Sequence, residues 1–214
     1  MAFHPEDRVV ASCSEDKSIK LWNLDDGGLI STMTGHTDRV TGVCFDPTGK
    51  TIVSCSWDKT IRFWDSATGA AIGSPVRGHS QLVTAVSWSP DGTKLASGSY
   101  DKTVRIWDSA SGEQLCSLNV DGEVSSVDWS PCGTMIAAAC NDGKEDDYCV
   151  KILNSETGAL LCDLKAHSHF VKAVAWSPCG QWLASGGEDN MVHVYDVKTF
   201  EVKWPLKGHS KDNP

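Results

Sequence analysis

Residues Gly78 to Asp108 read GHSQLVTAVSWSPDGTKLASGSYDKTVRIWD, and this stretch decides the fold. Gly-His opens it, Ser-Pro-Asp-Gly sits in the middle and Trp-Asp closes it. Between these marks lie three short runs, Val83 to Trp88, Lys94 to Ser97 and Thr103 to Trp107. Each is rich in β-branched or aromatic residues, alternates apolar with small or polar, and is bounded by turn residues, the pattern of a β-strand. Pro90 fixes its own φ, Asp91 bonds its own backbone, and Gly92 is free to take a positive φ. The first two strands therefore form a hairpin, and Asp101-Lys102 turns the second into the third.

The same pattern recurs along the chain. The central turn returns as His4-Pro5-Glu6-Asp7, Asp46-Pro47-Thr48-Gly49, Ser130-Pro131-Cys132-Gly133 and Ser177-Pro178-Cys179-Gly180, with the prolines 42, 43, 41 and 47 residues apart. The closing pair keeps step as Trp22-Asn23, Trp64-Asp65, Trp107-Asp108, Leu153-Asn154 and Tyr195-Asp196. Gly-His stands at 35–36, 78–79 and 208–209, with Ala166-His167 as a near copy. A further short segment follows each closing pair, usually after Thr-Gly or Ser-Gly, which makes four strands per unit.

These marks resemble the WD40 repeat, in which each repeat is one four-stranded blade of a β-propeller. The resemblance covers essentially the whole chain. Repeats two and three match it closely, and the other three depart at single positions. It implies an all-β array of about five blades, with boundaries near 1–34, 35–77, 78–119, 120–165 and 166–209. Phe45, Trp88, Trp129 and Trp176 recur at one position and are expected to fill the gaps between blades. The chain opens inside a blade, with Ala2-Phe3 as the remnant of a first strand, and only five residues follow the last Gly-His. The expectation is an incomplete first blade and a ring not closed in the usual way. That predicts a fragment, a truncated product, or a propeller completed by another chain.

Bulk properties narrow the function. Nineteen basic against 28 acidic side chains give a net charge of −9, with no Lys/Arg run, which argues against nucleic acid as a partner. No apolar run approaches a membrane span and no signal peptide is legible, so no membrane partner is expected. Nine cysteines, an odd number, point to free thiols in the cytoplasm or nucleus. They show no zinc spacing. Most lie on strands, while Cys132 and Cys179 lie in the turn and are expected to be exposed.

His36, Ser54 and Asp58, and again His79, Ser97 and Asp101, have the composition of a hydrolase triad. A catalytic triad has no reason to recur in one domain. The resemblance implies instead a buried structural network of His36, Ser54, Asp58 and Trp64 in one blade and His79, Ser97, Asp101 and Trp107 in the next. Repeats one and five keep part of it. Repeat four lacks it, with Asn119-Val120, Ala138 and Leu153 at its positions, and is expected to be the least rigid blade. Its lengthened hairpin, Asn141 to Asp147, holds four carboxylates but not the order of a calcium loop, and reads as a solvated tip. No phosphate-binding loop is present. The reading implies no cofactor, no metal and no enzyme.

In the family, the loop after Gly-His and the turn between the second and third strands lie on one face. The residues before the turn Asp are Glu15, Trp57, Tyr100, Asn141 and Glu188, and those before the first strand include Arg39, Leu82, Glu123 and Phe170. Trp57, Tyr100, Leu82, Phe170 and Arg39 thus form the expected partner-binding cluster, rich in the residue types of interface hot spots. The function expected is a non-catalytic scaffold that binds proteins or peptides. The alternatives are a modified-peptide reader using the aromatics as a cage, an enzyme or small-molecule binder using the central channel, or a fragment of a larger WD40 protein without independent activity.

Overall fold

The computed structural model describes residues 1–142 and 148–210 as 20 strands in five antiparallel four-stranded sheets, with no helix among them. Blade one is β1 (Ala2–Phe3), β2 (Val9–Cys13), β3 (Ser18–Asn23) and β4 (Leu29–Thr34). Blade two is β5 (Val40–Phe45), β6 (Thr51–Ser56), β7 (Thr60–Asp65) and β8 (Ala71–Arg77). Blade three is β9 (Val83–Trp88), β10 (Lys94–Ser99), β11 (Thr103–Asp108) and β12 (Gln114–Asn119). Blade four is β13 (Glu123–Trp129), β14 (Met135–Asn141), β15 (Tyr148–Asn154) and β16 (Leu160–Leu164). Blade five is β17 (Val171–Trp176), β18 (Trp182–Gly187), β19 (Met191–Asp196) and β20 (Glu201–Lys207). Strands follow one another in each sheet, the first strands pack in series from β5 to β17, and the array is not closed.

The turns explain the strand ends. In the Pro-containing turn Gly49, Gly92, Gly133 and Gly180 all take φ between 70° and 77°, a region that penalises any Cβ. At the next hairpin the left-handed residue is Lys17, Lys59, Lys102 or Asn190, with φ of 63° to 71°. There the preceding carboxylate organises the bend: Asp58 Oδ1 accepts from the Thr60 amide at 2.9 Å and its hydroxyl at 2.6 Å. Blade five departs from the Thr-Gly pattern at its last turn. Phe200 holds the left-handed position, at φ 57°, where the other repeats place glycine.

Packing between blades accounts for the apolar character of both strand parities. Ala11, Ile19 and Leu21 of blade one pack on Val43, Phe45, Ile52 and Trp64 of blade two. Val53, Ile61 and Phe63 of blade two meet Val83, Leu95 and Trp107 of blade three. Ala96, Val104 and Ile106 face Trp129, Ile136 and Leu153. Ala137, Val150 and Ile152 face Val174, Trp176 and Tyr195. One parity of each sheet serves the blade before it and the other the blade after. Phe45, Trp129 and Trp176 are buried in these seams, and Trp88 is half-buried in its own.

Polar bonds fix the spacing of the first strands. Thr41 Oγ1 donates to the Val83 carbonyl at 2.7 Å, Thr84 Oγ1 to Val124 at 2.6 Å, and Ser125 Oγ to Val171 at 2.6 Å. Each bond repeats at one register position, so the blades are keyed as well as glued. A net contribution of about 1 kcal/mol apiece is the usual scale.

Candidate interaction face and the network beneath it

The repeated His, Ser, Asp and Trp residues meet inside single blades. In blade two His36 Nδ1 lies 2.8 Å from Asp58 Oδ2 and Nε2 lies 2.8 Å from Ser54 Oγ, while Trp64 Nε1 donates to the same oxygen at 2.8 Å. Blade three repeats this with His79, Asp101, Ser97 and Trp107 at 2.7–2.8 Å. Blade five has His167, Asp189 and Ser185, with the Tyr195 hydroxyl 3.2 Å from Ser185 Oγ. Blade one keeps the Trp22–Ser12 bond at 2.8 Å. A carboxylate only accepts, so His36 Nδ1–H donates to Asp58. Nε2 then accepts from the serine hydroxyl, and the serine oxygen accepts from tryptophan. Every group is satisfied with a neutral imidazole. Ser54 and Ser97 are fully buried, so neither oxygen is open to a substrate.

Burial alone would raise the Asp58 carboxyl. Hydrogen bonds from His36, Thr60 and the Thr37 amide outweigh it and hold the group far below the carboxylate range. Asp101 is likewise lowered: burial opposes the shift, and Thr103, His79 and the Ser80 amide drive it. Burial pushes His79 down, against the pull of Asp101.

Repeat four solves the same space differently. Val120, Ala138 and Leu153 take the His, Ser and Trp positions, and all three are buried in the cluster shared with blade three. The expectation of a loosened blade rested on the lost polar bonds, but here the volume is refilled by carbon and no donor is stranded. Residues 143–147, which hold most of the acidic hairpin, lie outside the described residues.

The five candidate contact residues sit at the hairpin mouths. The Trp57 amide donates to the Arg39 carbonyl at 3.1 Å, Tyr100 to Leu82 at 3.1 Å, and Glu188 to Phe170 at 2.8 Å. These equivalent bonds set Arg39/Trp57, Leu82/Tyr100 and Phe170/Glu188 at one end of blades two, three and five. The Arg39 guanidinium lies 4.0 Å from the centre of the Trp57 ring, and its Nη1 is 2.6 Å from Glu15 Oε1 of blade one. Tyr100 is 38% exposed; Trp57, Leu82, Arg39 and Phe170 are half-buried.

Asn141 departs from the rim set. It is buried because β14 runs one residue further and the side chain turns to blade five, where Oδ1 accepts from the Val171 amide at 2.8 Å and Nδ2 donates to its carbonyl at 3.1 Å. The structure also adds residues that the repeat pattern did not single out. Tyr148 stacks on His169 at 5.6 Å between ring centres and meets Phe170 at 5.2 Å. Lys172 lies 5.3 Å from the Phe170 ring and 2.7 Å from Glu188. His169 was legible as the neighbour of Phe170, and Tyr148 as the residue five before the closing Leu153, where repeats one to three place a lysine. A second exposed apolar surface follows the outer strands, where Leu29, Ile30, Leu160, Leu161, Trp204 and Leu206 are each about half exposed.

Ligand atoms of His167, Asp189 and His193 fall within 4.8 Å of one another. Both His167 nitrogens and both Asp189 oxygens are already bonded within the blade. That leaves His193 Nδ1, buried and without a partner. One uncommitted donor is short of the three or four that a zinc site needs.

Five stacked four-stranded sheets, three of them keyed by a buried His-Ser-Asp network, define a propeller-type repeat array. The chain belongs to the WD40 family: residues 1–23, 27–65, 72–108 and 158–196 match the WD domain, G-beta repeat. Residues 114–176, which include the divergent repeat, match the anaphase-promoting complex subunit 4 WD40 domain. Among curated proteins, a lissencephaly-1 homolog of Caenorhabditis briggsae is 48% identical over 44 residues, and one of Monosiga brevicollis 44% over 46 residues. The nuclear distribution protein PAC1-1 of Uncinocarpus reesii is 51% identical over 45 residues. Each match spans 21–22% of this chain and 10–11% of the relative, about the length of one repeat. The family membership makes the chain a protein-interaction scaffold.

Proposed function

We propose that this scaffold recognises a protein or peptide through the hairpin-mouth face that carries Arg39, Trp57, Leu82, Tyr100 and Phe170, without catalysis. The observation that carries the reading is the repeated register. Three blades present a large or charged pair at the same strand end, held by equivalent backbone bonds. Trp, Tyr and Arg concentrate binding energy when a partner desolvates them. Glu15, Glu188 and Lys172 surround them with fixed charge, which suits a partner of mixed polarity.

The same geometry favours a general protein contact over a methyl-lysine reader. A cage needs bare aromatic faces, and here Arg39 already covers Trp57 and Lys172 approaches Phe170. A match the length of one repeat carries the blade's fold, not the partners of a lissencephaly-1 homolog. Completion of the array by further blades from another chain is part of this proposal, since the half-exposed Val192 and Val194 of blade five occupy positions that are buried in blades three and four as Val104, Ile106, Val150 and Ile152. A cytoplasmic or nuclear setting suits nine cysteines that are all free.

The test is affinity capture from native lysate with wild type beside a Trp57→Ala, Tyr100→Ala, Phe170→Ala variant of equal melting temperature. Partners lost from the variant support the face. Partners retained in full would move binding to the outer strands or blade ends and overturn it.

A further inference from the structure

The divergent repeat holds a feature that its role as a scaffold leaves unexplained. β14 and β15 pair so that Cys140 stands directly opposite Cys149. Directly opposed residues in antiparallel strands have Cα atoms about 4.5–5.5 Å apart and side chains on one face, inside the range of about 4.4–6.8 Å that a disulfide spans. Both residues are buried, at 1% and 2% exposure. We propose that Cys140 and Cys149 are a reversible redox pair, closed by a small peroxide into a cross-strand disulfide at the base of the repeat-four hairpin.

Comparison between blades supports a special role. The equivalent positions are Ser56 and Thr60 in blade two and Ser99 and Thr103 in blade three. Those hydroxyls build the turn: Ser56 Oγ accepts from the Asp58 amide and Thr60 Oγ1 donates to Asp58. In repeat four eight residues, 141–148, separate the two positions in sequence instead of three, and cysteine replaces both hydroxyls. Cys140 Sγ donates to the Ala138 carbonyl at 3.5 Å.

A small cavity adjoins the buried pair. Both cysteines line a cavity of about 10 Å³ with Gly122 and Lys151, enough for roughly one water-sized molecule. Hydrogen peroxide, with two oxygens, enters as the hairpin opens locally, whereas a glutathione-sized disulfide is far too big. The nearby Lys151 ammonium favours the thiolate, against the neighbouring Cys149 thiol and the burial that raise Cys140. In the first step one thiol gives up its proton and its sulfur attacks a peroxide oxygen. The S–O bond forms, the O–O bond breaks, and the departing hydroxide takes the thiol proton to give water and a sulfenic acid. In the second step the other sulfur attacks the sulfenic sulfur. The S–S bond forms, the S–O bond breaks, and hydroxide carries off the second proton as water. Two thiols and one peroxide become one disulfide and two waters.

The bridge has a structural consequence. It encloses Asn141, which bonds both backbone groups of Val171, and Tyr148, which packs on His169 and Phe170. Oxidation therefore restrains the junction of blades four and five from its blade-four side. This inference stands apart from the partner-binding reading, because its readouts involve no partner.

The experiment uses the full chain with the two exposed thiols removed, Cys132→Ser and Cys179→Ser. After hydrogen peroxide and alkylation, peptide mapping is expected to find Cys140 linked to Cys149, two hydrogens lighter and reopened by a dithiol. Amide exchange at Val171 is expected to slow about threefold or more on oxidation, as local opening is suppressed. Adding Cys149→Ser should abolish the linkage and leave Cys140 as a trappable sulfenic acid. Recovery of both residues as alkylated thiols under doses that oxidise Cys13 or Cys162, or linkage of Cys140 to another cysteine, would overturn the pair. Unchanged exchange at Val171 in the linked protein would overturn the restraint.

Discussion

Substituting Ser97 by alanine isolates one oxygen that serves one buried donor and one buried acceptor. Ser97 Oγ sits 2.8 Å from Trp107 Nε1 and 2.7 Å from His79 Nε2, and is fully buried. Its removal strands the Trp107 N–H and the His79 ring nitrogen where water cannot reach. Each such orphan costs about 1–3 kcal/mol, so Ser97→Ala is expected to lose about 2–5 kcal/mol. For a chain of this length, each kcal/mol moves the melting point by about 2–4 °C, which puts the drop at about 4–20 °C. Because repeat arrays unfold piecewise, exchange of the β10 and β11 amides should be followed beside the melt.

Repeat four supplies the control. It fills the same positions with Val120, Ala138 and Leu153, buried and without stranded polar groups. The triple change His79→Val, Ser97→Ala, Trp107→Leu should therefore be less destabilising than the sum of its single members. A coupling of about 1–3 kcal/mol is expected, as for residues in one network. A Ser97→Ala protein within about 0.5 kcal/mol of wild type, or strict additivity in the triple, would refute the argument that these residues stabilise as a satisfied unit.

Two further outcomes follow from the same contacts. Burial holds His79 and His193 below the ordinary imidazole value, so the unfolded chain binds more protons as pH falls below about 6.5. Stability is then full above that pH and declines below it, and declines again below about 4 as the depressed Asp58, Asp101 and Asp189 protonate; urea midpoints at pH 7.5, 5.5 and 3.5 should fall in that order. Asn141→Ala removes both bonds to Val171 and is expected to cost about 1–3 kcal/mol, with faster exchange concentrated at β17; equal exchange across all five blades would count against a local junction.

The fold was legible because two independent marks, the Pro turn and the Trp-Asp closure, recur at one period. The members of the network were legible too, since their spacing repeats in blades two, three and five. Repeat four was legible only as a gap. The motif records which polar groups are missing, but not whether apolar volume replaces them, and Val120 with Leu153 does so. Asn141 was misplaced on the rim for a related reason. Register counting put it before the turn aspartate, yet the long insertion lets β14 extend and turns the amide inward to Val171. Tyr148 and Cys149 keep their offsets of five and four from the closing Leu153, but the insertion breaks the count from the preceding strand, so their pairing with Asn141 and Cys140 was not legible.

Glycine at a single register position tests how the blades bear on one another. Gly98 follows the network serine in β10, and Gly186 follows its counterpart in β18. A Cβ on Gly98 would lie 2.5 Å from Val124 Cγ1 and 2.9 Å from Val127 Cγ1, both in the next blade. On Gly186 its nearest neighbour would be Val192 Cγ2 at 3.9 Å, in its own blade. Overpacking of this kind costs about 1–3 kcal/mol, while replacing a strand glycine in open space removes unfolded-state freedom and is neutral or stabilising by up to about 1 kcal/mol. Gly98→Ala should thus lower the denaturation midpoint and Gly186→Ala should not, although the two residues are equivalent in sequence. If Gly186→Ala proves as damaging as Gly98→Ala, the outward face of blade five is packed against something in solution. The seam chemistry seen four times between blades would then extend a fifth time, to another sheet.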